Sequence, residues 1–214
     1  LGSWLTLGGS VDAGASERIA RHAFDLGVTL FDSADAYSNG EAERVLGRAL
    51  AGLPRARLVL ATKCFFPMSD DPNDRGLSRK HLFESVHASL RRLGTDYLDL
   101  HQCHRADPET PLEETVRAYE DLIRQGKVLY WGTSSWSAEQ IADVVSLCKQ
   151  EHLYAPISNQ PEYNLFERGI ESGGCDGSAP PPALHGTAAP RGRTSMVAGA
   201  DNARRSGADW AWRI

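Results

Sequence analysis

No apolar run in these 214 residues approaches the roughly 18 needed to cross a bilayer. The N-terminus also lacks a charged stretch followed by an apolar one, so no secretory signal is read there. There is no CxxC pair. The four cysteines, Cys64, Cys103, Cys148 and Cys175, lie far apart, which argues against a zinc site or a disulfide scaffold and suits a reducing cytoplasm. No dense basic face accompanies the formal net charge of −5, so nucleic acid is not an expected partner. No Gly-rich GxGxxG follows the first strand-like run, and this weakens a dinucleotide-binding Rossmann reading. The chain opens on Leu1 rather than Met; a fragment is expected, and a lost targeting signal stays open. What remains is the balance of an ordinary soluble globular protein, 41% hydrophobic and 24% charged.

What the chain does have is alternation. Apolar, β-rich runs occur at VTLF (28–31), RLVLAT (57–62), YLDLHQ (97–102), VLYWGT (128–133) and, more weakly, APIS (155–158). Between them, apolar residues recur at helical spacing: Ile19, Ala23 and Leu26; Leu82, Val86, Leu90 and Leu93; Leu112, Val116, Tyr119 and Ile123; Ile141, Val144, Val145 and Cys148. Thr110 to Glu113 and Ser137 to Gln140 read as capping boxes. Gly27, Gly94 and Gly126 stand where left-handed helix ends are wanted. Strands apolar on both faces imply a parallel sheet covered by helices. The repeat length is that of a βα module.

Polar residues end three of the strand runs, where core packing does not call for them. VTLFDSADAY carries Asp32 and Tyr37, LVLATK ends at Lys63, and YLDLHQCH ends at His104. Active sites built at the C-terminal ends of several strands are the habit of the (β/α)8 TIM barrel, so the barrel is the expected fold. The four residues make a proton-donating set. A tyrosine hydroxyl titrating near 10 is a poor donor at neutrality; a lysine ammonium beside it favours phenolate and is expected to lower that value. An aspartate keeps the lysine charged, and a histidine can orient a substrate oxygen. Such a group suits protonation of a carbonyl as hydride reaches its carbon. None of the four can supply hydride, so a nicotinamide cofactor is implied.

Single residues have blander readings. Asp32 alone could be a cap or turn residue and Tyr37 a packed aromatic. Lys63 is harder to dismiss, because lysine is almost never buried unpaired. His104 could be structural; His101 is read as such. Ser134, Ser135 and Gln160 would pass as turn or strand-end residues. Trp131 and Trp136 read as packing residues, and Cys64 as a small buried filler. Glu113 and Glu114 match a helix N-terminus.

Long segments in order, FDSADAYSNGEAERVLGRAL, LVLATK, YLDLHQCHRADPETPLEETVRAYEDLIRQGKVLYWGTSSWS and ISNQPEYNLFER, resemble the aldo-keto reductases. Within that family the similarity is greatest to the branch with the potassium-channel β-subunits and their bacterial relatives. The resemblance covers residues 1–171 and implies an NADP(H)-dependent reductase of aldehydes or ketones. It makes Tyr37 the general acid, Lys63 and Asp32 its tuning pair, and His104 the group that orients the carbonyl. Ser3, Trp4 and Asp32 would line the cofactor mouth, and Ser134, Ser135 and Gln160 would hold the nicotinamide carboxamide. No metal is implied. In relatives the partners are a membrane channel or further copies of the subunit. Channel β-subunits of mammals carry Asn where this chain has His104, which favours a working reductase; a cofactor-binding regulatory module is the other class.

From Ser172 onward the text changes. Ala, Gly, Arg, Pro and Ser make 29 of the last 43 residues, and Lys, Glu, Gln, Phe and Tyr are missing. Disorder is the physical expectation for residues 172–214; out-of-frame translation of a GC-rich gene is the expected origin, and a genuine lineage-specific linker is the alternative. Sequencing the DNA across codon 171 tests this, an intact frame contradicting it. About six of eight βα units are then expected, with open sheet edges. The 214-residue product is expected to bind NADP(H) weakly or not at all and to be unstable or aggregation-prone.

Overall fold

A computed structural model describes residues 1–166 and 168, together with the backbone of residues 185–186 and 194–199. Five parallel strands follow one another across the sheet: β1 (Leu30–Asp32), β2 (Val59–Cys64), β3 (Leu98–Cys103), β4 (Val128–Thr133) and β5 (Ser158–Asn159). Each strand lies beside its predecessor in the chain. A doubly wound sheet would reverse direction part-way. Winding in one direction is instead how a barrel grows, so the molecule is a parallel half-barrel of alternating strands and helices.

A further parallel segment is at the front of the chain. Leu1 to Ser3 run along β1: Asp32 N donates to Leu1 O and Ser3 N to Asp32 O, both at 2.9 Å. A single bridge, Gly2 to Asp32, marks the pairing. Three residues carry too little pattern to read as a strand in the sequence. Counting them, six parallel segments are present.

Helices cover one face. They are α1 (Ala13–Asp25), α2 (Glu41–Leu50), α3 (Arg79–Leu93), α4 (Leu112–Arg124) and α5 (Ala138–Gln150). Their apolar stripes supply Ala20, Phe24, Val45, Leu46, Leu82, Val86, Val116, Tyr119, Leu122 and Val144 to a core that also takes Phe31, Leu60, Leu98 and Val128 from the strands. Full burial of each large side chain contributes roughly 1.5–3 kcal/mol. The capping box at Ser137 forms, with Gln140 N donating to Ser137 Oγ at 3.2 Å and Ser137 N to Gln140 Oε1 at 2.9 Å. The one expected at Thr110 does not. Pro111 is the first flanking residue of α4, and the Thr110 hydroxyl donates to Asp107 Oδ2 at 2.8 Å instead. A carboxylate already accepting from Leu77 N at 2.7 Å outcompetes the cap.

Beyond β5, β6 (Glu162–Tyr163), β7 (His185–Gly186) and β8 (Thr194–Gly199) are described, β8 pairing antiparallel with β5, β6 and β7. The rest of the span expected to be disordered, 172–214, lies outside the described residues.

Helices α2 and α3 approach closely at Gly47, where an added Cβ would stand 2.7 Å from the carbonyl oxygens of both Arg92 and Leu93. Helix propensity favours Ala over Gly by about 1 kcal/mol, but a backbone clash of this kind costs about 3 kcal/mol. Gly47→Ala is therefore expected to lower stability by about 2 kcal/mol in urea denaturation; a stabilised variant would contradict the packing.

Candidate active site

Strand period places Lys63 and its neighbours on opposite faces of β2. Thr62 faces outward to α2, donating to Glu43 Oε1 at 2.6 Å, so Lys63 faces inward. Its ammonium is 1% exposed and donates to Asp32 Oδ1 at 2.7 Å, Asp32 Oδ2 at 2.8 Å and Ser33 O at 2.7 Å. All three protons are used. Asp32 is fixed by β1 and by the N-terminal segment on its other side. Burial pulls the Lys63 ammonium toward deprotonation, but Asp32 and then Tyr37 outweigh it, and its pKa ends above the ordinary lysine value.

Tyr37 opens a short turn, Tyr37–Gly40, in which Ser38 and Asn39 both take left-handed backbone at φ +49° and +51°. Such conformations persist where the surroundings over-determine them. The ring lies 5.2 Å from Lys63 Nζ and meets the His104 ring edge-on at 5.6 Å. The phenol does not have the lowered pKa expected from the lysine alone. Burial raises it, Lys63 opposes, and the Asp32 carboxylate adds to the rise. At neutral pH Tyr37 is thus a proton-bearing acid.

His104 follows β3 and is held by its N–H to Cys64 O at 3.0 Å. Burial, then Lys63 and Arg105, lower its pKa to about 3. The imidazole is neutral, and its Nδ1 is buried with no protein partner. Phe66 packs edge-on against it at 4.9 Å, and Arg105 lies over Phe66 at 5.6 Å. These two wall residues were not legible as site residues. Their only sequence signal is nearness to Lys63 and His104. Trp4 is 44% exposed with its ring 6.4 Å from Tyr37, and Ser3 is buried behind it, donating to Ser33 Oγ at 2.9 Å.

The structure brings Asp32, Tyr37, Lys63, His104, Ser3 and Trp4 together. Ser134, Ser135 and Gln160 form a neighbouring group at the ends of β4 and β5. Ser134 Oγ donates to Gln160 O at 2.9 Å, Ser135 N donates to the same oxygen at 3.3 Å, and Gln160 N donates to Thr133 O at 2.9 Å. The Ser134 hydroxyl, the Ser135 amide and Gln160 are collected at one strand end, residue types of the kind that could hold a cofactor carboxamide. Asn159, not singled out in the sequence, ties the group down by accepting from Thr133 Oγ1 at 3.0 Å. His101 is structural: its Nδ1 pairs with Tyr119 Oη at 2.8 Å, and Tyr119 stacks on Trp131 at 4.5 Å.

The neutral imidazole has a pH consequence. His104 titrates near 6.5 when unfolded and near 3 when folded, so the unfolded chain binds the extra proton between those values. Stability attributed to His104 is full above 6.5 and falls as pH drops, by on the order of 1 kcal/mol per unit. Asp35, pushed up to about 7 by burial and by Glu43, runs in the opposite direction, so the comparison must be between variants. His104→Asn is expected to flatten the loss of stability between pH 6 and 4 in urea titrations; an unchanged slope would contradict a neutral buried ring.

A one-directional half-barrel with an acid, an ion pair and a neutral histidine at the ends of successive strands defines a class: the chain belongs to the aldo/keto reductase family, whose model matches residues 1–175. Among its relatives are a probable voltage-gated potassium channel subunit beta of Oryza sativa subsp. japonica and one of Arabidopsis thaliana, each 46% identical over 169 residues. A putative voltage-gated potassium channel subunit beta of Schizosaccharomyces pombe is 45% identical over 172 residues. Each match covers 78% of this chain but 50–51% of the relative, so the chain spans about half the length of those curated proteins. Among the described residues no helix is long and apolar enough to cross a membrane.

Proposed function

We propose that the protein is an NADP(H)-dependent reductase of aldehydes or ketones. The observation that carries this reading is the buried Lys63–Asp32 pair beside a protonated Tyr37, with neutral His104 across the ring. When bound, the cofactor supplies hydride to the carbonyl carbon. Tyr37 holds a proton at Oη and gives it to the carbonyl oxygen as negative charge develops there. The fixed ammonium of Lys63 stabilises the phenolate left behind. The imidazole N–H of His104 hydrogen-bonds and orients the same oxygen. Ser134, Ser135 and Gln160 position the carboxamide, with Ser3, Trp4 and Asp32 at the mouth. The preference for the 2′-phosphorylated cofactor follows the family resemblance, and a cytoplasmic location follows the four separated cysteines.

A second reading follows from the names of the relatives: a cofactor-binding regulatory subunit of a potassium channel, in which partner contact matters more than turnover. His104 weighs against it, since a neutral buried donor beside Tyr37 serves chemistry. NADPH oxidation with a panel of aldehydes and ketones, measured on the protein from its intact gene and on the 214-residue chain, discriminates the two. Turnover supports the reductase. Tight NADPH binding without turnover on any carbonyl would favour the regulatory subunit.

A further inference from the structure

Behind the proposed site, on the face of β2 opposite Lys63, lies a second group of chemistry-bearing side chains that hydride transfer does not use. Asp35 is in the loop after β1, Cys64 ends β2, and His81 is in the first turn of α3. All three are buried, at 0%, 0% and 1% exposure. One ligand atom from each lies within 4.8 Å of the other two. Asp35 Oδ1 and both ring nitrogens of His81 are buried without a hydrogen-bond partner. A buried polar atom without a partner is unfavourable, and Asp35 and His81 together carry three of them beside the Cys64 thiol.

The group is otherwise well held. Asp35 N donates to Lys63 O at 3.0 Å, and Ser85, one turn beyond His81 on the same face of α3, donates to Asp35 Oδ2 at 3.0 Å. That bond occupies one carboxylate oxygen and leaves Oδ1 without a partner. Asp74 Oδ1 lies 3.6 Å from His81 Nδ1, the kind of carboxylate that supports a metal-bound histidine. Glu43, the other buried acid nearby, is already paired with Arg92 at 2.5 Å and with Thr62.

We propose that Asp35, Cys64 and His81 form a zinc site that ties α3 to the ends of β1 and β2 behind Lys63. Thiolate, imidazole and carboxylate together select zinc over calcium or magnesium, which take oxygen ligands. The charges close: a dication with one thiolate and one carboxylate is neutral, as a buried site requires. Ligand distances of about 2.0–2.3 Å need each atom to move inward by roughly half an ångström to an ångström, within reach of side-chain rotation. A water completes the tetrahedron, and the thiol proton leaves to solvent as the metal binds. The ion's role there is structural: it holds the strand that carries Lys63 from its outer face.

The test uses the full chain stripped with EDTA and titrated with Co2+ and then Zn2+. One equivalent of Co2+ is expected to give a thiolate-to-cobalt charge-transfer band and the intense visible bands of tetrahedral cobalt, both displaced by Zn2+. Cys64→Ser is expected to abolish the charge-transfer band, whereas Cys103→Ser and Cys148→Ser keep it. His81→Gln is expected to weaken zinc by about 100-fold. A weak octahedral spectrum, or a band that survives Cys64→Ser, overturns the proposal. If Cys64→Ser does not fold, alkylation of the unaltered chain in mild urea decides instead. Zinc is expected to slow labelling of Cys64 by about tenfold and to leave Cys148 unaffected; equal rates overturn the site.

Discussion

Tyr37→Phe is expected to lower carbonyl reduction by about 10³-fold while leaving NADPH affinity within about twofold, the proportion that loss of a general acid gives. The ring stays, so its packing against His104 and beside Trp4 survives; only the Oη proton is lost. Burial, resisted by Lys63, raises the pKa of that proton above the ordinary tyrosine value. The acid form therefore persists to a pH above 10, and reduction by the unaltered protein is expected to fall off only beyond it. Stopped-flow NADPH oxidation as a function of pH checks both points. A variant that keeps more than about a tenth of the rate would assign the proton to water or to His104, and an equal loss of NADPH affinity would mean that the hydroxyl serves cofactor binding rather than proton transfer.

Asp32→Ala is expected to destabilise the fold by about 4 kcal/mol, because it strands an ammonium that is 1% exposed with no countercharge. Lys63 would keep its bond to Ser33 O, and this one acceptor cannot replace two short charged bonds. The direction of the lysine pKa reverses as well. Burial lowers it, and Asp32 is the largest of the causes that raise it, so the variant folds best where Lys63 is neutral and regains stability as pH rises. Lys63→Met on top of Asp32→Ala is expected to recover most of the loss, since an apolar pair of similar volume lacks the desolvation cost. Urea midpoints of the two single variants and the double variant measure the coupling. Additive losses would show that the pair is not a unit.

The zinc proposal and the hydride-transfer reading stand apart, although both converge on β2. Lys63 faces the site and Cys64 faces α3, as alternation along a strand requires. Variants at Cys64 test the outer face without removing a group from the inner one.

Much of this was legible because parallel strands impose local rules. A strand covered on both faces must be apolar throughout, so a lysine at the end of LVLAT or a histidine after LHQC stands out against its neighbours. Ser137 and Gln140 are a cap within four residues, and the structure forms it. Where a competitor comes from elsewhere, local reading fails. Asp107 takes the Thr110 hydroxyl, and the N-terminal segment becomes a strand only because β1 lies beside it. The expected fall in the Tyr37 pKa failed for the same reason. Lys63 was visible in the letters, but the burial that outweighs it was not.

The sequence by itself determined the alternation of strands and helices, the ends of the strands, and which polar residues sit at those ends, since each is set by neighbours within a few positions. Only the tertiary structure decided that the strands wind in one direction, that Asp32 meets Lys63 at 2.7 Å, and that Asp35, Cys64 and His81 share one buried space. Those contacts join residues 17 to 46 positions apart. Burial, and with it the proton affinity of every group in the site, is a property of the packed whole.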